Sequence, residues 1–300
     1  MHLRWWRAIV AGRIIKAVGG FYTVLADGRI ISCKARGVFK KRGIKPLVGD
    51  LVEVELSQGD EGVVTDVRSR VNHLIRPAIA NVDQVLLVSA LVQPTFSSFQ
   101  FDKTLAMIES AGLPAALCFT KIDLPGALDV FESVSRVYSG IGYPVLGLNV
   151  RQGRGLPELR ATLAAKITVL AGLSGVGKST ILRYLIPDTN AVTGSVSQKG
   201  HRGRQTTTHV ELFPFGTGFV ADTPGFSQFD LAGVEVNDLA SCFIEFRSYE
   251  SKCEYRGCLH DKDAGCSVVK GVLDGEIVKS RYDSYLQLLA ELQEAKARRY

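Results

Sequence analysis

Gly172-Leu173-Ser174-Gly175-Val176-Gly177-Lys178-Ser179 decides how the rest of this 300-residue chain is read. The stretch fits the phosphate-loop pattern G-x-x-x-x-G-K-[ST], and its flanks fit as well. Ile167–Ala171 is an apolar run of strand length before it, and Thr180–Ile186 is patterned as a helix after it. Glycines let backbone N–H groups converge on phosphate oxygens at a helix N-terminus, where the peptide dipoles already favour an anion. In such a loop Lys178 reaches the β- and γ-phosphates and Ser179 offers its hydroxyl to Mg²⁺. Gly172, Ser174, Gly175, Val176, Gly177 and Thr180 complete the expected cradle. A glycine-rich turn that matches by chance is the alternative, and correct flanks on both sides make it remote.

Composition sets the frame. With 46% apolar and 22% charged residues the chain is ordinary globular protein, and its length suggests about two domains. A formal net charge of +6 permits nucleic-acid binding without requiring it. Arg4, Arg7, Arg13 and Lys16 interrupt the N-terminal twenty residues, so no signal-peptide core forms. No apolar run reaches membrane-spanning length. A cytoplasmic protein with no membrane partner is expected. Six cysteines in a reducing compartment then point to metal binding or packing instead of disulfides.

Residues 1–72 alternate in short segments punctuated by turn residues. Ala8–Ile15, Phe21–Ala26, Arg29–Ala35, Asp50–Leu56 and Gly62–Val67 read as strands of a small five-stranded barrel of the oligonucleotide-binding (OB) type. Between the third and fourth lies Lys34–Lys45, with six positive charges, two glycines and Phe39. It reads either as an RNA-contacting loop, with phosphate pairing and a stacking aromatic, or as a solvated loop. Arg76-Pro77 marks a linker. Strands Val82–Val92, Leu113–Phe119 and Tyr143–Leu148 then alternate with helices Phe101–Ala111, Ala127–Tyr138 and Leu156–Lys166, the pattern of a parallel sheet covered by helices.

Beyond the phosphate-loop helix, Asn190–Arg204 has little periodicity and leads into Gln205-Thr206-Thr207-Thr208. His209–Phe213 and Gly218–Ala221 read as paired strands, the second running into Asp222-Thr223-Pro224-Gly225. An aspartate at the end of a strand in a phosphate-loop protein is suited to hold Mg²⁺, directly or through water. Near the C-terminus, Cys253, Cys258, His260 and Cys266 fall within 14 residues. Three thiolates and an imidazole make a closed tetrahedral set for one structural Zn²⁺. Cys33, Cys118 and Cys242 are isolated and read as packing residues. Asp283–Arg299 is a helix with an apolar stripe through Tyr285, Leu288, Leu289 and Leu292 and a basic end.

Thr120-Lys121-Ile122-Asp123 is similar to the guanine-recognition motif N-K-x-D of translation-factor and Ras-like GTPases, but it precedes the phosphate loop instead of following D-x-x-G. That order is a circular permutation. Together with the N-terminal barrel and the Cys/His set it resembles the ribosome small-subunit-dependent GTPases, which assist late maturation of the bacterial small ribosomal subunit. The resemblance covers the whole chain. It implies an N-terminal OB-like barrel over 1–72, a permuted α/β P-loop GTPase domain over 73–230 and a mostly helical zinc-binding module over 231–300. It also implies a monomer that hydrolyses GTP to GDP with Mg²⁺, binds ribosomal RNA and is stimulated by the small subunit.

The resemblance assigns roles residue by residue. Asp123 accepts from guanine N1 and N2, and Lys121 lies along the base. Thr120 stands where asparagine is commoner, with loss of an amide contact. Asn149 falls where a serine-alanine pair would back the guanine oxygen. Thr207 completes the Mg²⁺ shell, and Gly225 senses the γ-phosphate. Phe226 replaces the glutamine that orients water in Ras-like enzymes, which leaves Gln205 as the residue expected to do so; His209 reads as a strand-surface residue. Slow intrinsic hydrolysis accelerated by a partner is the expected behaviour. A rival reading keeps GTP as a ligand only, gating an RNA-binding assembly factor with incidental hydrolysis. A P-loop ATPase is disfavoured by Asp123.

Overall fold

The computed structural model describes residues 8–57, 59–75, 77–187, 210–222, 233–261 and 264–298. Packing divides the chain into two compact units. One comprises residues 1–83, 163–170 and 182–226, the other residues 84–162, 171–181 and 227–300.

The first unit begins with β1 (Ile9–Val18), β2 (Phe21–Ala26), β3 (Arg29–Ala35), α1 (Gly37–Lys41), β4 (Leu51–Leu56) and β5 (Glu61–Val67). Antiparallel ladders β1–β2, β2–β3, β4–β5 and β1–β4, with a parallel β3–β5 ladder, close these strands into a barrel. Alternation makes this possible: Ile14, Val24, Ile31, Val52, Val54 and Val64 are buried on the inner face. The β2–β3 turn is a two-residue hairpin, with Asp27 and Gly28 both at positive φ (48° and 75°), the backbone such turns demand.

The basic segment differs from expectation. It contains the helical turn α1, and Phe39 is buried at 3% exposure, so that ring packs in the core and is not available to stack on a base. Arg36 is engaged by Glu55. Among the described residues an exposed aromatic on the barrel is Phe21, with the Lys34 ammonium 5.0 Å from its ring centroid. Around Pro77, in place of a bare linker, β6 (His73–Leu74) and β7 (Ile79–Ala80) pair as a small hairpin.

The second unit opens with β8 (Gln84–Ala90), α2 (Ser98–Ser110), β9 (Ala115–Thr120), α3 (Ala127–Ile141), β10 (Val145–Leu148) and α4 (Leu156–Leu163). β8, β9 and β10 are parallel neighbours, and the almost continuous burial of β8 and β9 is what a sheet covered on both faces requires. Strand β11 (Ile167–Ala171) leads to the phosphate loop and α5 (Lys178–Leu185). In the first unit, β12 (Glu211–Phe215) and β13 (Gly218–Asp222) form an antiparallel hairpin, with β13 parallel to β11.

The C-terminal part of the second unit carries 3₁₀ turns, then α6 (Arg247–Glu250), α7 (Ser267–Leu273) and α8 (Lys279–Ala297). The expected stripe of α8 is buried with Leu239, Phe243 and Phe246, against Ala106 and Met107 of α2. Arg281 is buried in this core. It donates to Asp102 Oδ1 at 2.5 Å and to Glu245 Oε1 at 2.7 Å, and its guanidinium lies 4.6 Å from the Phe243 centroid. Burial disfavours its charge, but the Asp102 and Glu245 carboxylates outweigh that and hold the guanidinium protonated. Arg281→Leu strands two acidic groups in the core. It is expected to cost about 3–5 kcal/mol in chemical denaturation, whereas Lys279→Ala, which removes only an exposed pair with Asp283, costs under about 0.5 kcal/mol. Equal effects would show that the buried network does not hold this packing together.

Candidate functional site

The phosphate loop is built tightly against the second unit's sheet. At Gly172 φ is 130°, and a Cβ there would sit 2.0 Å from the Val88 carbonyl oxygen, so only glycine fits. Val176 is buried and anchors the loop from below, while Leu173, Ser174 and Gly175 are exposed. Lys178 donates from Nζ to the carbonyls of Gly172 and Leu173, each at 2.7 Å, which holds its ammonium across the mouth of the loop. Ser179 and Thr180 occupy the first turn of α5.

Thr120–Asp123 meets this loop from more than fifty residues away in sequence. Thr120, at the end of β9, donates from Oγ1 to the carbonyl of Val176 at 2.5 Å. The Ser89 carbonyl oxygen of β8, 3.3 Å from the same hydroxyl, is its alternative acceptor. Lys121 adopts φ 57° and donates from Nζ to Gly175 O at 2.8 Å and to Gln93 O at 2.6 Å. The substitution of threonine for asparagine therefore leaves a side-chain contact to the phosphate loop, made by a hydroxyl instead of an amide. Thr120→Val removes that donor at nearly constant volume. We expect nucleotide affinity to fall roughly 5- to 10-fold, the worth of one net hydrogen bond, with the guanine-over-adenine preference retained. Titration with GDP and ADP measures both.

Asp123 is exposed and lines a cavity of about 460 Å³ with Ile122, Pro125, Asp129, Gln152 and Arg154. The loop opposite is shaped by Asn149, which is buried and accepts at Oδ1 from the N–H groups of Arg151 and Gln152, at 3.0 and 3.2 Å. Backbone bonds between Asn149 and Arg154 close its base. Asn149 thus builds the loop, while Gln152 and Arg154 face the cavity. Neither of these, nor Gln93, carries a signature in sequence, because each is selected by the fold of its loop. Asp222 is the last residue of β13, as expected of an aspartate at a strand's end. Gln205, Thr206, Thr207, Thr208, His209, Gly225 and Phe226 lie outside the described residues.

Cys253, Cys258, His260 and Cys266 come together with their ligand atoms all within 4.8 Å of one another. His260 Nδ1 lies 3.6 Å from Cys253 Sγ and 3.4 Å from Cys266 Sγ. Ligands about 2.0–2.3 Å from a tetrahedral zinc ion stand about 3.5–3.8 Å apart, so set and spacing fit the ion. Residues that sequence reading does not connect with the cluster hold this frame. Tyr282 and Tyr285 of α8 donate to the carbonyls of His260 and Leu259, at 2.7 and 2.6 Å. Ser267 Oγ lies 3.1 Å from Cys253 Sγ, and Cys266 caps α7 by accepting from Val269 N. The remaining cysteines are buried, and burial pushes the Cys118 thiol up to about 12 and those of Cys33 and Cys242 up to about 11, as suits inert packing.

Comparison with known proteins agrees with this arrangement. Family models described as RsgA N-terminal domain and RsgA GTPase match residues 11–64 and 67–232. The chain is 44% identical to the small ribosomal subunit biogenesis GTPase RsgA of Shouchella clausii, over 96% of this chain and 99% of that protein. Among solved structures, YloQ, described as a circularly permuted GTPase, is 35% identical with a TM-score of 0.82, covering 98% of this chain and 99% of that one. YjeQ from Thermotoga maritima is 34% identical with a TM-score of 0.83, covering 95% and 99%. A barrel, the Thr120–Asp123 segment clamped to the phosphate loop beyond it in sequence, and a Cys₃His set thus occur together in a chain that belongs to the RsgA GTPase family and is a GTP hydrolase.

Proposed function

We propose that this chain is a Mg²⁺-dependent GTPase of late small-subunit maturation, a cytoplasmic monomer that binds ribosomal RNA and is stimulated by the small ribosomal subunit. The observation that carries the reading is the double clamp of Thr120 and Lys121 onto Val176 and Gly175. It joins base selection to phosphate binding in one rigid piece, as a guanine-nucleotide site needs. In this reading Asp123 takes the guanine N1 and N2 hydrogens, Lys121 lies along the base, and the N–H groups of 174–180 bind phosphate oxygens. Lys178 turns its ammonium from the loop carbonyls to the β- and γ-phosphates.

Ser179 and Asp222 are hard oxygen donors of the kind Mg²⁺ takes, and Thr207 is proposed as a further one. When bound, the ion neutralises charge that builds between the β- and γ-phosphates. Gln205 orients the attacking water, and Gly225 reports the γ-phosphate. We assign residues 1–72 to RNA binding, 73–230 to GTP hydrolysis and 231–300 to a zinc-held module that shares in RNA contact. Exposed Phe21 beside Lys34 supports the barrel's part, since stacking and phosphate pairing are the two elements of sequence-tolerant RNA binding. No helix among the described residues is long and apolar enough to cross a membrane.

GTP turnover with and without purified small subunits tests the proposal. Stimulation by small subunits and not by large ones is expected. Turnover unchanged by either would remove the subunit as partner and leave the hydrolase.

A further inference from the structure

Strand β1 changes partners along its length. Its first half, Ile9–Arg13, pairs with β4 and closes the barrel. Against β2 the register then shifts between Ile14 and Lys16, a bulge that turns both Ile14 and Ile15 into the core. Bulges bend a strand and re-aim its remaining residues. Beyond this one, β1 leaves β4 and pairs with β12, Lys16 standing opposite Glu211. Glu211 in turn stands opposite Asp222 across the β12–β13 hairpin. Lys16, Glu211 and Asp222 are therefore abreast on three neighbouring strands, with a spacing of about 4.8 Å per strand.

Side chains reinforce the seam. Lys16 Nζ is 2.9 Å from Glu211 Oε2, and the Arg13 guanidinium lies 5.5 Å from the centroid of Phe219 on β13. Arg13 itself is fixed by donating to Gly49 O at 2.7 Å. The hairpin that this seam holds begins three residues after Thr208 and ends on Asp222, so it separates the two segments expected to respond to the γ-phosphate.

We propose that Lys16 and Glu211 are positioning residues for the reaction. By fixing the register of β12 against the barrel, they set where Asp222 is presented to Mg²⁺. This rests on the reading of Asp222 given above. A partly exposed ion pair contributes little to folding, so a purely structural role predicts almost no change when it is broken. A positioning role predicts a specific one, in metal use.

Magnesium titration of GTP hydrolysis tests this in the full chain. In Lys16→Met and Glu211→Gln, the Mg²⁺ concentration for half-maximal turnover should rise about 10-fold, the lower end of what loss of an outer contact costs a metal site. GDP affinity measured without Mg²⁺ and the melting temperature should hold. The charge exchange Lys16→Glu with Glu211→Lys should bring the Mg²⁺ midpoint back towards the parent's. Unchanged midpoints in both single variants, alongside loss of Mg²⁺-dependent turnover in Asp222→Asn, would overturn the proposal and leave the reading of Asp222 intact. Retention of a normal midpoint in Asp222→Asn would remove that reading and the proposal with it.

Discussion

Asp123→Asn is expected to exchange guanine for xanthine as the preferred base. In the proposed reading the aspartate carboxylate accepts from both the N1–H and the exocyclic amine of guanine, a pair of charge-assisted bonds that adenine cannot return. An asparagine amide offers one acceptor and one donor, which suits the carbonyl that xanthine carries in place of the amine. Hydrogen bonds to charged groups contribute about 1.5–3 kcal/mol each, so GTP affinity should fall by roughly 10²- to 10³-fold while XTP affinity rises by a similar factor. The effect should be confined to the base: Asp123 stands in the cavity with Gln152 and Arg154, and the clamp on the phosphate loop is made by Thr120 and Lys121. Equilibrium titration with GDP, XDP and ADP measures the exchange. A variant that binds GDP like the parent would show that Asp123 does not read the base.

Removing the proposed zinc should have the other large effect. Residues 253–266 contain no regular helix or strand among those described, so beyond the bonds from Tyr282, Tyr285 and Ser267 the proposed metal is what would fix this stretch. Structural zinc binding in such sites is worth on the order of 10 kcal/mol. Losing it frees the carbonyls of Leu259 and His260 from Tyr285 and Tyr282, and through those rings loosens the core around Phe243 and Phe246. We expect one zinc per chain by elemental analysis, Cys258→Ala nearly metal-free, and unfolding midpoints lower by about 10 °C or more in that variant and in chelated parent. Cys242→Ala, which touches a packing cysteine only, should keep its zinc. Full stability in a metal-free Cys258→Ala would reduce the cluster to an incidental site.

The range of each interaction decides whether it is legible in sequence. The barrel strands, the parallel strands and the phosphate loop are legible because alternation, continuous apolar runs and glycine spacing are local. Strand β2 and strand β3 match their expected ends, and β12 is displaced by only two residues from His209–Phe213. Charge surrounds Phe39 in sequence and suggests a stacking ring, yet the turn of α1 rotates it into the core. Pro77 suggests a break in structure, but a proline between two short strands serves as a hairpin tip equally well.

The site shows the same division. The chemistry of Lys178, Asp123 and the Cys/His set is visible as residue types at fixed spacing. Their supports are not. Thr120 on Val176, Lys121 on Gln93, Tyr285 on Leu259 and Lys16 on Glu211 each join residues 26 to 195 positions apart, and only the tertiary register selects them. Arg281 is the extreme case: a basic residue in a helix of mixed charge gives no sign that it is 1% exposed between two carboxylates.

Hydrolysis of GTP and ATP by the unmodified chain, compared at equal concentration with and without Mg²⁺, tests the central claim most directly. The account predicts Mg²⁺-dependent turnover of GTP, with ATP slower by at least about 10²-fold, since adenine leaves the Asp123 carboxylate without its two donors. Comparable turnover of the two nucleotides would mean that the segment before the phosphate loop does not select guanine, and would contradict the account.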